Sequence, residues 1–255
     1  MENILELQDI SHSYHGMEGE TQALSHLSFS LKQGDFISIV GPSGCGKSTL
    51  LSIISGLIPP ENGKVVLHGN HIGYMLQKDH LLEWRNVYRN IILGLEIQHK
   101  ITPDTKEKAL RLLKQYGLEQ FANAKPSELS GGMRQRVALI RTLILEPDLL
   151  LLDEPFSALD YQTRLAVGDD IGQIIHKEKR TAILVTHDLA EAISLGDKVL
   201  VLTKRPGSVK TIVPIHFPED KNTPLLRRST TEFNEYFDII AVFLDYIMQP
   251  CDRLR

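Results

Sequence analysis

One short stretch restricts the fold of this 255-residue chain more than any other: Gly41-Pro42-Ser43-Gly44-Cys45-Gly46-Lys47-Ser48. It fits the pattern G-x-x-x-x-G-K-[ST], which is informative when a strand precedes it and a helix follows it. Both are predicted here. Residues 36–40 form a short apolar strand, and residues 49–57 have the pattern of a helix that stops at Gly56. The sequence therefore predicts an α/β fold with this loop between a buried strand and a helix.

The residue types in this loop suit the binding of phosphate. Glycines let successive backbone N–H groups approach an anion, and a helix N-terminus adds a favourable dipole. Lys47 is expected to reach the β and γ phosphates of a nucleotide, and the Ser48 hydroxyl is expected to bind Mg²⁺. The alternative is a glycine-rich turn without function, which the strand and helix on either side argue against. Cys45 is interpreted as a small residue of the loop rather than as a redox sensor.

A second chemical feature is an acidic pair that follows four consecutive leucines. Leu149 to Leu152 has the pattern of a buried parallel strand, and Asp153 and Glu154 come directly after it. Sites in α/β proteins gather at the carboxyl ends of strands, so Asp153 is placed to bind Mg²⁺ through water. Glu154 is the candidate to polarise an attacking water. An acidic pair at a strand end is also common in solvated turns, so the prediction depends on the loop at 41–48.

The remaining pattern divides the chain into a core and an insert. Strands are predicted at residues 1–14, 24–31, 182–185 and 199–202, and helices at 105–116 and 134–145. We therefore expect one domain over residues 1–204, with a core formed by 1–77 and 148–204 and a helical insert at 78–147. Prolines 214, 218 and 224 favour an irregular connector at the start of an extension over 205–255. Ser229 and Glu232 fit a capping box that opens a helix over 229–249.

Composition excludes several classes of protein. A net charge of −4 gives no support to nucleic-acid binding, which usually produces a basic excess. Two cysteines, Cys45 and Cys251, offer no disulfide framework and favour a reducing compartment. The first residues lack the pattern of a signal peptide, and no apolar run approaches the roughly 20 residues that span a bilayer. If the chain serves transport, we expect another polypeptide to form the membrane path.

Seven motifs occur along the chain in a fixed order. They are Tyr14, residues 41–49, Gln77, Leu129-Ser130-Gly131-Gly132-Met133-Arg134-Gln135, residues 149–154, Ser157-Ala158-Leu159-Asp160 and His187. In order and type they resemble the A-loop, Walker A, Q-loop, signature, Walker B, D-loop and H-loop of ATP-binding-cassette (ABC) ATPases. The resemblance implies a P-loop NTPase fold with a RecA-like core, an antiparallel β lobe and a helical lobe. It also implies a head-to-tail homodimer that closes around ATP and Mg²⁺.

The resemblance gives roles to residues that would be unremarkable alone. It implies that Tyr14 stacks on adenine, although an aromatic residue in a strand is more often packing. Thr49 belongs to the nucleotide-binding loop. Gln77 would bind Mg²⁺ and sense the γ-phosphate, and His187 would contact that phosphate and orient Glu154 or the water. The residues implied to complete the partner's site are Ser130, Gly131, Gly132 and Gln135, and Asp160 belongs to the D-loop.

Within this family the chain looks closest to importers of the nitrate, sulfonate, taurine and bicarbonate group. The supporting stretches are residues 77–86 (QKDHLLEWRN), 132–136 and 204–207. One departure is that only 30 positions separate Lys47 from Gln77, with Gly69-Asn70-His71 in place of a longer connecting loop. The resemblance implies a partner permease, an indirect link to a substrate-binding protein, and a location on the cytoplasmic face of the membrane. The alternatives are a soluble ABC ATPase that acts on a non-transport complex, and a regulator that binds ATP without turnover.

The segment after Gln77 is the candidate surface for a permease. It carries the apolar residues Leu81, Leu82, Trp84 and Val87. These side chains form either a docking groove or ordinary packing inside the helical lobe, and the sequence does not separate the two.

Overall fold

The structure of the protein is a computed structural model, which describes residues 3–16, 19–69, 71–218, 220–221 and 223–244. The strands are β1 (Asn3–Gly16), β2 (Gly19–Lys32), β3 (Phe36–Val40), β4 (Asn62–Leu67), β5 (Ile72–Met75), β6 (Leu149–Asp153), β7 (Thr181–Val185), β8 (Lys198–Leu202) and β9 (Val209–Pro214). The helices are α1 (Lys47–Ile54), α2 (Val87–Ile91), α3 (Leu93–Ile97), α4 (Pro103–Gln115), α5 (Gly131–Leu143), α6 (Tyr161–Lys177), α7 (Leu189–Leu195), α8 (Pro224–Arg227) and α9 (Thr231–Phe243).

The strands form two sheets. The smaller sheet is antiparallel, with the order β2-β1-β4. The larger sheet has the order β5-β6-β7-β3-β8-β9, and all its neighbours are parallel except β8 and β9. Every residue of β3, β6 and β7 is buried, as expected for parallel strands that are covered on both faces. This order places the carboxyl ends of β3, β6 and β7 side by side, which confirms the predicted α/β architecture.

Residues 76–148 contain helices and no strand. Helix α4 begins where predicted to within two residues, because Thr102 and Thr105 form a reciprocal cap and Pro103 occupies the first position. Helix α5 begins at Gly131 rather than at the predicted residue 134. The reason is that the Ser130 side chain accepts a hydrogen bond from the Met133 N–H and so caps the helix. Helix α1 likewise begins at Lys47, two residues before the predicted start.

The predicted irregular connector after residue 205 is wrong at its beginning. Residues 209–214 form strand β9, which extends the larger sheet at its edge beside β8. Alternate residues of β9 are exposed, and Pro214 is tolerated because it ends an edge strand.

The predicted capping box of the last helix is also wrong. Thr230 caps α9 by accepting from the Phe233 N–H at 3.2 Å, whereas the Ser229 hydroxyl donates to the Leu226 carbonyl at 2.7 Å. Helix α9 packs on α7 through Phe233 and Ile240. Its predicted continuation to residue 249 lies outside the described residues, as does Asn70 in the short connection between β4 and β5.

Candidate functional site

The glycine-rich loop joins the end of β3 to the start of α1. Gly44 and Gly46 have positive φ angles of 73° and 100°, which favour glycine. A Cβ atom on Gly46 would also lie 2.7 Å from Leu24 Cδ2 and 2.9 Å from the Ala23 carbonyl oxygen. The loop therefore keeps its shape only with glycine at 46, and this shape exposes backbone N–H groups at the start of α1.

Lys47 lies over its own loop. Its ammonium group donates to the carbonyl oxygens of Gly41 at 2.8 Å and Pro42 at 3.1 Å, and the residue is only 8% exposed. The positive charge is thus held at the mouth of the loop by two neutral acceptors. A more strongly accepting anionic oxygen would compete well for the same donors.

Asp153 ends β6 beside the loop. The Ser48 hydroxyl donates to Asp153 Oδ1 at 3.5 Å, and the Tyr74 hydroxyl donates to Oδ2 at 3.4 Å. Burial raises the pKa of Asp153, the neighbouring Glu154 raises it further, and the Ser48 hydrogen bond opposes both. Burial together with the Asp153 charge raises the pKa of Tyr74 to about 12. The site therefore disfavours a negative charge on Asp153 that no cation compensates.

Glu154 is the centre of a second group of polar side chains. Its Oε2 lies 3.1 Å from His187 Nδ1 and accepts from Gln77 Nε2 at 3.3 Å. Gln77 also donates to Ser157 Oγ at 3.4 Å. The backbone of Glu154 has a positive φ of 44°, and its N–H donates to the Val185 carbonyl at 2.8 Å. The Val185 carbonyl thus fixes the backbone of Glu154, and the carboxylate lies between the Gln77 amide and the His187 imidazole.

Two cavities border the loop. One, of about 510 Å³, is lined by Gly41, Pro42, Ser43 and Lys47 together with Gln77, Glu154 and His187. The other, of about 320 Å³, is lined by Tyr14, Thr21, Ala23, Ser43, Gly44, Gly46, Lys47, Ser48, Thr49, Glu154 and Arg205. Volumes of this size suit a nucleotide or another small molecule. The structure therefore brings the separate predicted motifs of the nucleotide site to adjoining cavities.

Tyr14 stands at the edge of the smaller cavity. It is 49% exposed, its hydroxyl lies 3.1 Å from Thr49 Oγ1, and its ring makes an edge contact with His12. Packing therefore covers only part of the ring.

The predicted signature residues line neither cavity. Ser130 caps α5. Gly132 is buried against α6, so closely that a Cβ atom on it would lie 2.8 Å from Thr163 Cγ2. Gln135 is buried as well, and its Oε1 has no hydrogen-bond partner in the described part of the chain. Asp160 caps α6 by accepting from the Thr163 N–H. Hydrogen bonding to the Thr163 side chain, and then to its backbone, lowers the pKa of Asp160. One chain therefore presents its loop and its signature as separate surfaces.

Sequence reasoning missed a polar network behind His187. Thr186 Oγ1 donates to Glu191 Oε2 at 2.7 Å and accepts from the Asp188 N–H at 3.0 Å. Asp188 caps α7, and Arg164 lies 3.6 Å from Asp188 Oδ2 while donating to the Leu159 carbonyl at 3.1 Å. The spacing of Asp188 and Glu191 is that of a capping box, which was the available sequence signal.

The predicted apolar docking set divides into buried and exposed members. Leu81 and Val87 are buried in the core of the helical region, so the packing interpretation is correct for them. Leu82 is half-buried, and Trp84 is 75% exposed. Only Trp84 and part of Leu82 are therefore available to a partner.

Comparison with known proteins shows which family the chain resembles. The profile of the family described as ABC transporter matches residues 24–157. The chain is 42% identical over 245 residues to the uncharacterized ABC transporter ATP-binding protein YtlC of Bacillus subtilis, covering 93% of this chain and 94% of the relative. It is 39% identical over 229 residues to the aliphatic sulfonates import ATP-binding protein SsuB of Bacillus subtilis, covering 85% and 89%. It is 43% identical over 194 residues to the taurine import ATP-binding protein TauB of Rhizobium johnstonii, covering 73% and 74%.

A solved structure shows the same fold. It is a dimeric ATP-binding cassette in a post-hydrolysis state with ADP and Pi, 30% identical, with a TM-score of 0.72 over 84% of this chain and 100% of that chain. These relatives cover between 73% and 93% of this chain, and the solved structure covers 84% of it. The chain therefore belongs to the ABC transporter family, as one of its ATP-binding-cassette ATPases.

Proposed function

We propose that this chain is the ATP-hydrolysing subunit of an importer that takes up a small solute, in the class of sulfonates, taurine, nitrate or bicarbonate. The observation that carries the ATPase part is the meeting of Gln77, Glu154 and His187 in one cavity with Lys47. The importer part is supported by relatives named for the import of aliphatic sulfonates and taurine.

Nucleotide binding uses the loop and the first turn of α1. Lys47 exchanges the carbonyls of Gly41 and Pro42 for oxygens of the β and γ phosphates, because charge-assisted hydrogen bonds are the stronger ones. Tyr14 stacks on the adenine, since its ring borders the same cavity and is half exposed. Backbone N–H groups of residues 43–48 hold the phosphates.

The donor set fits Mg²⁺ bound jointly with the nucleotide. Ser48 and Asp153 offer oxygen atoms beside the loop, and Gln77 offers an amide oxygen across the cavity. Among the described residues, no three His, Cys, Asp or Glu side chains cluster closely enough to hold a metal by themselves. Mg²⁺ commonly takes its remaining ligands from phosphates and water, so this small protein set is sufficient. The bound ion would neutralise charge on the phosphates as it develops.

Hydrolysis needs one base and an oriented water. Glu154 accepts a proton from the water while the water oxygen attacks the γ-phosphorus. The bond between the γ-phosphorus and the oxygen that leaves with ADP breaks. His187 contacts the γ-phosphate, and its Nδ1 at 3.1 Å keeps the Glu154 carboxylate oriented. Gln77 senses whether the cavity is occupied and transmits this to the segment that leads to Trp84, because it donates a hydrogen bond to Glu154 and begins that segment.

The working unit is a head-to-tail homodimer. The signature surface, where Ser130 and Gly131 are exposed, lines neither of the chain's own cavities, so it is free to meet the loop of a second copy. The solved relatives that were determined as dimers support this arrangement. ATP closes the dimer and hydrolysis reopens it.

The membrane partner binds at the turn that carries Trp84. The buried Asn90 side chain fixes this turn by accepting from the Leu82 N–H at 2.7 Å and donating to the carbonyls of Leu82, Arg85 and Asn86. Trp84 is thus presented on a rigid support, as an exposed aromatic anchor. Among the described residues, no helix has the length and apolar character needed to cross a bilayer. A separate permease therefore supplies the membrane path.

The test replaces Trp84 by a charged residue and measures attachment to membranes. Trp84→Glu is expected to release the tagged protein from native membranes and to abolish capture of an integral membrane protein, while the ATPase rate of the isolated subunit is unchanged. Leu57→Glu is the matched control, because Leu57 is also exposed, at 67%, and lies at the end of α1. Wild-type protein that stays wholly soluble and captures no membrane protein would instead support a soluble ATPase of a non-transport complex.

A further inference from the structure

The turn between β8 and β9 brings an additional cation to the smaller cavity. Arg205 lines this cavity together with Lys47, Ser48 and Thr49. Its side chain is exposed, and it makes no hydrogen bond or ion pair with the residues that the structure describes. Within the described part of the chain, Arg205 is thus an unpaired guanidinium in the cavity that borders the predicted phosphate-binding loop.

This turn is fastened to the loop and to the smaller sheet. The Gly207 N–H donates to the Ala23 carbonyl at 2.8 Å, and the Ser25 N–H donates to the Gly207 carbonyl at 3.0 Å. Gly207 also packs so closely on the loop that a Cβ atom there would lie 2.1 Å from the Cys45 carbonyl oxygen. Inside the turn, Thr203 Oγ1 accepts from the Ser208 N–H at 2.9 Å. The backbone that carries Arg205 is therefore held in a fixed relation to the loop.

We propose that Arg205 binds the phosphate chain of the nucleotide, as a second side-chain cation beside Lys47. This inference rests on the proposed nucleotide site. Most of the other residues that line the cavity belong to the loop and the first turn of α1, and Glu154 is the one carboxylate among those that the structure describes. A nucleotide bound at the loop would therefore place its phosphates in the cavity that the guanidinium borders. A guanidinium presents several N–H donors in a plane that matches phosphate oxygens, whereas the Lys47 ammonium acts as a point charge. The fixed turn reduces the conformational entropy that is lost when the two meet.

The experiment measures binding of MgADP by calorimetry, because ADP avoids turnover. Arg205→Ala is expected to weaken binding about tenfold, the usual effect of losing a charge-assisted hydrogen bond. Arg205→Lys is expected to fall between this variant and wild type. Lys204→Ala is the matched control, since Lys204 is exposed in the same turn but does not line the cavity. An unchanged MgADP affinity in Arg205→Ala, or an equal loss in Lys204→Ala, overturns the inference.

A second probe, magnesium pyrophosphate, separates phosphate from base. If Arg205 binds phosphate, Arg205→Ala weakens pyrophosphate binding by a similar factor. A loss for MgADP without a loss for pyrophosphate assigns Arg205 to the adenosine part and overturns the inference. Lys47→Ala tests the proposed site independently. Normal MgADP affinity in that variant refutes the phosphate-binding loop, whereas loss in Lys47→Ala with normal binding in Arg205→Ala refutes only the role of Arg205.

Discussion

At the scale of single residues, a buried carboxylate lies beside the turn that carries His187, and it lines neither cavity. Glu191 is 4% exposed, accepts from Thr186 Oγ1, and lies 3.7 Å from the Arg164 guanidinium. Burial raises the pKa of Glu191 and the Asp188 charge raises it further, while the Thr186 hydrogen bond and the charges of Arg164 and Arg228 oppose them. Glu191 therefore lowers the stability of the fold when it is ionised.

This pKa predicts a pH dependence of stability. The folded pKa of Glu191 exceeds its unfolded value near 4.5, so its favourable contribution is complete below about pH 4.5 and is lost as the pH rises through the folded pKa. Glu191→Gln cannot titrate. The free energy of unfolding of wild type minus that of this variant is thus expected to decrease as the pH rises from 4.5 to 8, as measured by urea unfolding. A difference that is constant with pH, or increases, contradicts the prediction.

The individual residues of the site differ in how far sequence reveals them. Lys47, Asp153 and Glu154 follow from short local patterns, because a loop between strand and helix needs only neighbours in the chain. Arg205 and Arg164 do not. Folding brings Arg205 to the cavity beside the loop and Arg164 to the turn that carries His187, and neither position is visible in a local pattern.

At the scale of elements, the segment after Gln77 is joined to helix α5. Arg134 donates to both carboxylate oxygens of Asp79, at 2.8 and 3.1 Å, and Arg141 donates to the carbonyls of Asp79 and His80. Burial pushes the pKa of Asp79 upward, but the Arg134 and Leu81 hydrogen bonds and the arginine charges outweigh it, and the pKa is lowered. Because α5 begins at Gly131 within the signature motif, these hydrogen bonds connect the segment directly to the helix that carries the motif.

Removing that link should loosen the helical region. Asp79→Ala is expected to lower the free energy of unfolding by about 1–2 kcal/mol, since it breaks a paired, mostly buried hydrogen bond. Glu83→Ala is the matched control, because Glu83 contacts the same Arg134 at 3.0 Å but is half exposed. The control should change stability by less than about 0.5 kcal/mol in the same urea unfolding experiment. Equal effects of the two substitutions would show that burial does not determine the strength of this pair.

Helices and strands were predicted correctly from the sequence where the pattern of a single element was enough to identify it. The buried strands β3, β6, β7 and β8 follow from continuous apolar runs. Helix starts were displaced because caps at Ser130 and Thr230 are local hydrogen bonds that periodicity does not reveal. Strand β9 was not predicted because its formation depends on pairing with β8, and because Pro214 at its end, with Pro218 and Pro224 after it, favoured a connector.

At the scale of the whole molecule, the separation of loop and signature predicts complementation between copies. Lys47→Ala should inactivate one subunit's loop, and Ser130→Asp should keep the α5 cap but repel phosphate by its charge. Each homodimer is expected to be inactive. A mixed dimer assembles one intact pair of surfaces, from the loop of the Ser130→Asp copy and the signature of the Lys47→Ala copy.

The measurement is the ATPase rate after unfolding and refolding the two variants together. The ATPase rate of the mixture should be well above the rate of either variant alone, and the increase should scale with the fraction of mixed dimers. Each variant refolded separately is the control. An inactive mixture in which mixed dimers are demonstrated would exclude the head-to-tail arrangement.

The left-handed backbone at Glu154 has a consequence for how the protein tolerates change. A non-glycine residue in this conformation costs about 1 kcal/mol or more, and Glu154 adds a negative charge beside the buried Asp153. Asparagine accepts such a backbone more readily and carries no charge. Selection for heat resistance alone would therefore favour replacing the residue that we propose as the catalytic base. A midpoint temperature of thermal unfolding that is higher for Glu154→Asn than for wild type would show that the protein keeps this glutamate at a cost in stability.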